Sequence, residues 1–316
     1  MTDLRPIAAA GHPSGRRPLI RLVVNADDFG VSERVNSGIA QAHSEGIVTA
    51  TSLMAVGRAF EHAVRLSRTA PALDVGVHLT VVAERPLRPG NRSLSGADGR
   101  FAPAAGVFTL RWLTGRVRRS DVEAEWSAQI ERVLETGIRV SHLDSHQHVH
   151  VLPGLLDLTR NLAARYGIPW VRVPVEGWRL DRPISIHGGS RLLGSGVLRA
   201  FAAASGLRRT RQTGPRPPRF LGFLDGGRLD VLRLRRLLAS LRPGETYELM
   251  CHPGLTPEEE DLRRWGYRHE EELHALTSPS IRADIAALGV HLCSFKDLTP
   301  SNLYPDEEVV ADPIRG

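Results

Sequence analysis

LIRLVVNADDFG, residues 19–30, is an apolar run that passes directly into polar residues. Residues 19–25 have the length and the branched apolar content of a short buried strand. Residues 32–45 follow with helical spacing, with Ser32 as the N-cap and Gly46 as the stop signal. Because a buried strand followed at once by a helix is the building unit of parallel sheets, this stretch predicts an α/β fold.

The same alternation of strand and helix patterns continues along the chain. Further strands are predicted at residues 48–56, 74–80, 140–144, 169–175, 246–250 and 290–295. Further helices are predicted at residues 58–69, 120–136, 155–166, 192–204, 229–241 and 281–288. A capping box formed by Ser120 and Glu123 is expected to begin the helix at residues 120–136.

The domain organisation follows from length and from the two places where this alternation stops. We expect a single domain at residues 19–298 between tails at residues 1–18 and 299–316, because parallel barrels reach this length as one domain. Two irregular stretches, residues 81–118 and 176–226, read as loop insertions. Long loops in compact domains are often functional, so these insertions are expected to shape a substrate pocket.

The composition restricts the classes of function. A net charge of +6 is compatible with nucleic-acid binding, but the basic residues are spread over the whole chain and form no stripe with aromatic residues. No apolar run of about eighteen residues is present, so no membrane-spanning helix is predicted. Residues 1–17 lack the apolar core of a secretory signal, and two cysteines make no disulfide framework. We expect a cytoplasmic protein with no nucleic-acid and no membrane partner.

Polar clusters follow directly after four of the predicted strands. They are residues 25–28, His78, residues 144–148, and His252 with the Pro-Gly pair behind it. In barrels and open α/β sheets, ligands and catalytic groups gather at the carboxyl ends of the strands. Strands from distant parts of the sequence are therefore expected to present these Asp and His side chains to one site.

The adjacent carboxylates Asp27 and Asp28 allow two interpretations. Strand alternation would point them to opposite faces. At a strand end, one carboxylate can bind a cation while the other accepts a proton from water, as metal-assisted hydrolysis requires. Alternatively, one of them caps a helix and its neighbour is solvated.

The histidines differ in how strongly they indicate a metal site. A lone His in an apolar strand, such as His78, is more often a core residue than a ligand. Residues 142–150 hold four His and one Asp, which favours metal binding. In a strand-like segment His146, His148 and His150 would share one side, whereas a tight turn would fan them out. His252 fits a general acid or a turn-stabilising residue equally. Two His and one Asp suit Zn²⁺, Fe²⁺, Co²⁺ or Ni²⁺ without excluding Mg²⁺ or Mn²⁺.

Several of these segments together resemble the YdjC-like carbohydrate deacetylase family. The matching segments are residues 24–30 (VNADDFG), 48–53 (VTATSL), 76–79 (GVHL), 142–150 (HLDSHQHVH), 250–254 (MCHPG) and the stretch 267–279. The resemblance implies an α/β fold, a distorted (β/α) barrel that is TIM-barrel-like and related to polysaccharide deacetylases. It also implies an N-acetylated sugar as substrate and a homodimer as the assembly.

The resemblance assigns roles to individual residues. It implies one divalent metal ion, Mg²⁺ or Zn²⁺, held by Asp28, His78 and His146. Asp27 would be the general base, and His252 the general acid or oxyanion stabiliser. The family's extra histidines match His148 and His150, which with Arg268 in the last stretch would bind substrate or support the site. Gln147 stands where family members often carry His, which leaves that position without an expected role.

The resemblance therefore predicts metal-dependent hydrolysis of the acetamide of an N-acetylated sugar, releasing acetate. A phosphoesterase or a sugar isomerase on the same barrel is an alternative, because Asp/His metal sites serve several chemistries. A non-catalytic protein that binds a sugar or a metal is a third. The identity of the sugar does not follow from the sequence.

Overall fold

The computed structural model describes residues 18–90, 92–176 and 217–299. The helix expected at residues 192–204, most of the insertion at residues 176–226 and nearly all of both tails lie outside the described residues. The strands are β1 (Ile20–Phe29), β2 (Ala50–Leu53), β3 (Asp74–Leu79), β4 (Val140–Ser145), β5 (Trp170–Val171), β6 (Arg219–Leu221), β7 (Thr246–Cys251) and β8 (Val290–Leu292). The α-helices are α1 (Glu33–Ser44), α2 (Phe60–Thr69), α3 (Ala105–Leu113), α4 (Arg119–Leu134), α5 (Leu155–Arg165), α6 (Val231–Leu238), α7 (Glu260–Arg263), α8 (His269–Thr277), α9 (Pro279–Ala287) and α10 (Phe295–Leu298).

The strands form one parallel sheet in the order β5-β4-β3-β2-β1-β7-β6. β8 pairs with the first residues of β1, on the edge that β2 occupies farther along. In a regular eight-stranded barrel each strand has its two neighbours in sequence beside it, whereas here β7 lies directly against β1. The predicted α/β fold with a distorted, barrel-like parallel sheet is confirmed.

Helix and strand ends were predicted with mixed success. Ser32 caps α1 as expected, since its hydroxyl accepts a hydrogen bond from the Val35 N–H. The capping box at Ser120 is wrong: α4 begins one residue earlier, which places Ser120 inside the first turn. The last strand ends at Leu292, and Phe295 begins a helix capped by Ser294 and Asp297. Here the polar pair formed local hydrogen bonds that compete with strand pairing.

The core lies between the sheet and the helices that cover it. α4 shows the pattern clearly, because its buried Trp126, Ile130 and Val133 recur at helical spacing and face the sheet at β3. The insertion at residues 81–118 contains α3 and two isolated bridges. Within the described part of the chain, none of the helices has the length and apolar character needed to cross a membrane.

Candidate metal and catalytic site

The carboxyl ends of the parallel strands bring the predicted polar residues together. His78 on β3 and Asp144 on β4 are register partners. Asp28 lies near the end of β1, His146 directly follows β4, and His252 directly follows β7. All five side chains are buried. The expected convergence of these strand ends on one site is confirmed.

A bulge at the end of β1 decides where the two adjacent carboxylates point. The register between β1 and β2 shifts between Ala26 and Phe29. Within that interval Asp28 has φ +68°, a left-handed conformation that is strained for a residue other than glycine. The bulge interrupts strand alternation. Regular alternation, which would point Asp27 and Asp28 to opposite faces of the sheet, therefore does not apply here, and each carboxylate lies within 4.8 Å of a ring nitrogen of His78.

Asp28 is the centre of the histidine cluster, which we define as Asp28, His78, His146 and His252. Its Oδ1 lies 2.9 Å from Nδ1 of His146 and 3.3 Å from Nε2 of His78. Its Oδ2 lies 4.0 Å from Nε2 of His252 and has no hydrogen-bond partner among the described residues. A buried carboxylate oxygen without a donor is costly, so this oxygen is suited to a cation.

The donor set of this cluster fits a divalent metal ion. Ligand atoms of Asp28, His78 and His146 all lie within 4.8 Å of one another. Nδ1 of His78 donates to Asp144 across 2.7 Å, which leaves Nε2 facing the cluster. This carboxylate–histidine arrangement fixes the tautomer of a metal-ligating imidazole in many proteins.

Proton binding in the metal-free protein agrees with this fit. Burial opposes ionisation of Asp28, but the imidazoles of His146 and His78 hold its pKa well below its usual range. Burial also disfavours the imidazolium of His78, yet Asp144 and Asp28 raise its pKa to about 10. The cluster therefore attracts positive charge, which metal binding would supply in place of a proton.

Asp27 belongs to a second group, the arginine cluster, defined as Arg172, Asp27, Asp144 and Glu248. The guanidinium of Arg172 holds both oxygens of Asp27, at 2.6 and 2.7 Å. It also pairs with Asp144 at 2.6 Å and with Glu248 at 2.5 Å. Asn25 donates a further hydrogen bond to Asp27 at 2.8 Å. Asp27, His78 and Asp144 also lie close enough to hold a metal, but Arg172 already occupies both of these carboxylates.

Glu248 is the least favourably placed acid of the arginine cluster. Burial raises its pKa to about 7, because Arg172 compensates its charge only in part while Asp144 and Asp27 repel it. Neither Arg172 nor Glu248 was predicted from the sequence as a site residue. Each is a charged residue inside an apolar, strand-like run, and such residues are seldom fully buried unless they are paired.

The segment after β4 is a tight turn that separates its histidines. Residues His146–Val151 form a 3₁₀ turn in which Gln147 and His148 have φ +54° and +56°. His150 points away from the cluster, with Nδ1 on the hydroxyl of Ser145 and Nε2 donating to the carbonyl of Arg172. His150 therefore supports the backbone of Arg172, and the fan predicted for a tight turn is the observed arrangement.

His148 and Gln147 contact residues that border the site. His148 is buried against Phe220 and Phe223, and its Nδ1 has no partner among the described residues. Gln147 accepts a hydrogen bond from the N–H of Ala105 at the start of α3. Gln147, for which the sequence predicted no role, thus links the insertion at residues 81–118 to the turn that carries His146.

His252 is held by its backbone and leaves its ring free on one side. Its N–H donates to Glu272 at 2.5 Å, and its carbonyl accepts from Nδ1 of His269 at 2.9 Å. Nδ1 of His252 is buried without a hydrogen bond to any residue described. Burial lowers the pKa of His252 to about 4, although Asp28 and Asp27 oppose this shift.

Arg268 is not part of either cluster. Its side chain is exposed and pairs with Glu271 on the first turn of α8 at 3.1 Å. Its N–H donates to the carbonyl of Gly227. The structure brings seven of the eight predicted site residues to this end of the sheet and leaves Arg268 outside the buried group.

Two glycines near the site are explained by close packing. A Cβ on Gly76 would lie 2.4 Å from the ring of His142, and one on Gly38 would lie 2.4 Å from Cα of Gly254. Gly76 therefore makes room for a buried histidine of β4. Gly38 lets α1 approach the turn that follows His252.

Comparisons with known proteins agree with this architecture. A family model described as YdjC-like protein matches residues 21–287. The chain is 34% identical over 276 residues to a carbohydrate deacetylase of Geobacillus stearothermophilus, covering 87% of this chain and 96% of that protein. It is also 34% identical over 323 aligned positions to a human carbohydrate deacetylase, covering 94% and 96%. A solved structure from Enterococcus faecalis V583, named a "putative cellobiose-phosphate cleavage protein", is 26% identical with a TM-score of 0.68, covering 89% of this chain and all of that one.

Proposed function

The chain belongs to the YdjC-like family, and from that premise we propose that it is a metal-dependent hydrolase that removes the acetyl group from an N-acetylated sugar. The observation that carries this proposal is that the neighbouring carboxylates Asp27 and Asp28 have different partners. Asp28 faces imidazoles and Asp27 faces a guanidinium. Such a hydrolase needs both a metal ligand and a base, whereas a protein that only binds a sugar or a metal needs no second carboxylate.

Asp28, His78 and His146 are the residues that would hold the cation. When bound, a divalent cation supplies a charge that polarises the acetamide carbonyl and makes water more acidic. The two imidazoles favour Zn²⁺ over Mg²⁺, since Mg²⁺ prefers oxygen ligands.

Asp27 is the proposed base. Arg172 and Asn25 fix the orientation of its carboxylate, so it can take a proton from the water that attacks the acetamide carbon. His252 is the proposed donor, since its Nδ1 is unpaired among the described residues. Its pKa of about 4 favours the neutral imidazole, which donates a hydrogen bond to the oxyanion. The leaving amine takes the proton that Asp27 removed from the water. The products are acetate and a free amino sugar.

Acetate release is the direct test of this function. N,N'-diacetylchitobiose and a panel of N-acetylated sugars would be incubated with the protein and Zn²⁺, Mg²⁺, Co²⁺ or a chelator. We expect acetate in the presence of a metal and none with the chelator. Absence of acetate from the whole panel, with metal shown to be bound, would contradict the proposal.

Asp27→Asn is the matched test of the base. The amide keeps the size of the side chain and one oxygen for Arg172, but it cannot take up the proton. We expect kcat to fall by about 10² to 10⁴-fold, the usual contribution of a general base, with metal affinity retained. Turnover at the wild-type rate with metal bound would show that another group is the base.

Phosphoester cleavage is the second candidate, because the solved relative from Enterococcus faecalis is named for cleavage of a sugar phosphate. Many phosphatases use two metal ions. In the described residues the two possible ligand sets share His78, and Arg172 occupies the carboxylates of one of them. The site therefore favours one cation, and parallel assays for phosphate and acetate separate the two activities.

A further inference from the structure

Two aromatic rings, Trp265 and Tyr267, border the histidine cluster; we call this pair the aromatic wall. The indole of Trp265 lies against the ring of His146, with ring centroids 4.9 Å apart and an interplanar angle of 38°. Tyr267 lies against His252 at 4.5 Å and 48°. The wall therefore contacts one proposed metal ligand and the proposed hydrogen donor.

The two wall residues are half-buried, unlike the aromatic residues of the core. Trp126 and Phe295 are almost fully enclosed, whereas Trp265 and Tyr267 are each partly exposed to solvent. The indole N–H of Trp265 has no hydrogen-bond acceptor among the residues described. Half-exposed aromatic rings beside a catalytic cluster are a common feature of ligand sites, which are lined by apolar and aromatic groups with a few polar ones.

Contacts on both sides of the aromatic wall hold it in place. Asp261, in α7, forms a two-point ion pair with Arg58. The segment before α7 is held at Thr256, whose N–H and hydroxyl both donate to Glu270, at 3.0 and 2.8 Å. A Cβ on Gly227 would lie 2.4 Å from the Tyr267 ring, so the glycine makes room for that ring. A wall fixed before ligand binding loses little conformational entropy when the ligand arrives.

From these contacts we infer that the aromatic wall stacks on the pyranose ring that carries the acetamide, with Trp265 as the main positioning residue for that ring. The inference rests on the proposed function. Aromatic faces carry partial negative charge, and one face of a pyranose presents C–H groups that complement it, while its hydroxyls remain at the rim. Because the wall contacts both His146 and His252, a ring stacked there has its acetamide close to the cluster.

The test compares Trp265→Leu with Trp265→Phe. Leu keeps apolar packing against His146 but removes the aromatic face, whereas Phe keeps a smaller aromatic face. We expect Trp265→Leu to raise KM for N,N'-diacetylchitobiose by about 10-fold, the equivalent of losing a good aromatic contact, and Trp265→Phe to recover most of that loss. Trp112→Leu, which removes another half-buried indole, on α3, is the matched control.

Calorimetric titration of the metal-free protein with the same sugar supplies a readout that needs no turnover. We expect the Kd of the sugar to rise in parallel with KM. If the wild type releases acetate but Trp265→Leu changes neither KM nor Kd, the stacking inference is wrong and the proposed function stands. If Trp265→Leu lowers metal affinity and kcat without changing the Kd of the sugar, Trp265 only supports His146, which also overturns the inference. If the wild type releases no acetate from any sugar, the proposed function itself has failed.

Discussion

The histidine cluster and the arginine cluster begin from adjacent residues of one strand, yet they are built on opposite principles. In the arginine cluster, a guanidinium and an amide occupy both oxygens of Asp27. In the histidine cluster, one oxygen of Asp28 has no hydrogen-bond partner among the described residues. In the arginine cluster the paired charges fix the orientation of the proposed base, whereas in the histidine cluster the oxygen without a partner marks where a cation would bind. The predictions below test this difference.

The largest effect is expected for Arg172→Leu, which removes the guanidinium that pairs with three buried carboxyl groups, those of Asp27, Asp144 and Glu248. Removing one partner of a buried ion pair costs about 3 to 5 kcal/mol. Urea denaturation of the metal-free protein should show a loss of this size in the free energy of unfolding. Arg172→Lys, which keeps the charge but not the planar fork, should lose less. A loss below about 1 kcal/mol for the leucine variant would mean that Arg172 does not organise the site.

Asp28→Asn should weaken metal binding strongly and destabilise the fold less than Arg172→Leu does. We expect the Kd of Zn²⁺ to rise at least 100-fold, about 2.7 kcal/mol, because a charged ligand is lost. The metal-free protein should lose less free energy of unfolding than the Arg172→Leu variant, because the amide oxygen can still accept from His146 and only one oxygen of Asp28 is paired. Competition with a chromophoric chelator measures the first quantity and urea denaturation the second. Unchanged metal affinity would show that the cation binds elsewhere.

Asp144→Asn tests the residue that joins the two clusters. Asp144 accepts from His78 and also pairs with Arg172. Loss of an outer carboxylate of this type lowers metal affinity by about 10- to 100-fold. Ser52→Ala removes only one hydrogen bond to the same carboxylate, so we expect a smaller change. Equal metal affinity in all three proteins would mean that the orientation of His78 does not depend on Asp144.

The effect of Glu248→Gln is the smallest at acid pH and grows as pH rises. Arg172, Asp144 and Asp27 face this carboxyl, and burial raises its pKa from 4.5 to about 7. The folded protein therefore binds more protons than the unfolded chain between these values, so stability falls as pH rises through this window. The glutamine variant lacks this titration. Its free energy of unfolding relative to wild type should rise by about 2 to 3 kcal/mol from pH 4.5 to pH 7. A difference that does not change with pH would contradict the raised pKa.

Local patterns were sufficient to predict the strand-end residues but not their surroundings. Residues 24–28 predicted a strand end with two carboxylates, because apolar patterning and polar termini are properties of neighbouring residues. The bulge that turns Asp28 toward the same site as Asp27 arises from pairing with β2. Strand alternation alone gave the wrong orientation.

Although it missed β6 and α8, the sequence by itself determined the parallel α/β class, most of the strands and helices in order, and the polar residues at the strand ends. These follow from short-range periodicity and from the tendency of polar groups to gather at strand termini. The tertiary structure decided which of these residues share a partner. Arg172 and Asp27 are 145 positions apart in the chain, and Trp265 reaches His146 from a different part of the fold. Such contacts depend on how the sheet curls and how its loops pack, and no local pattern encodes that geometry.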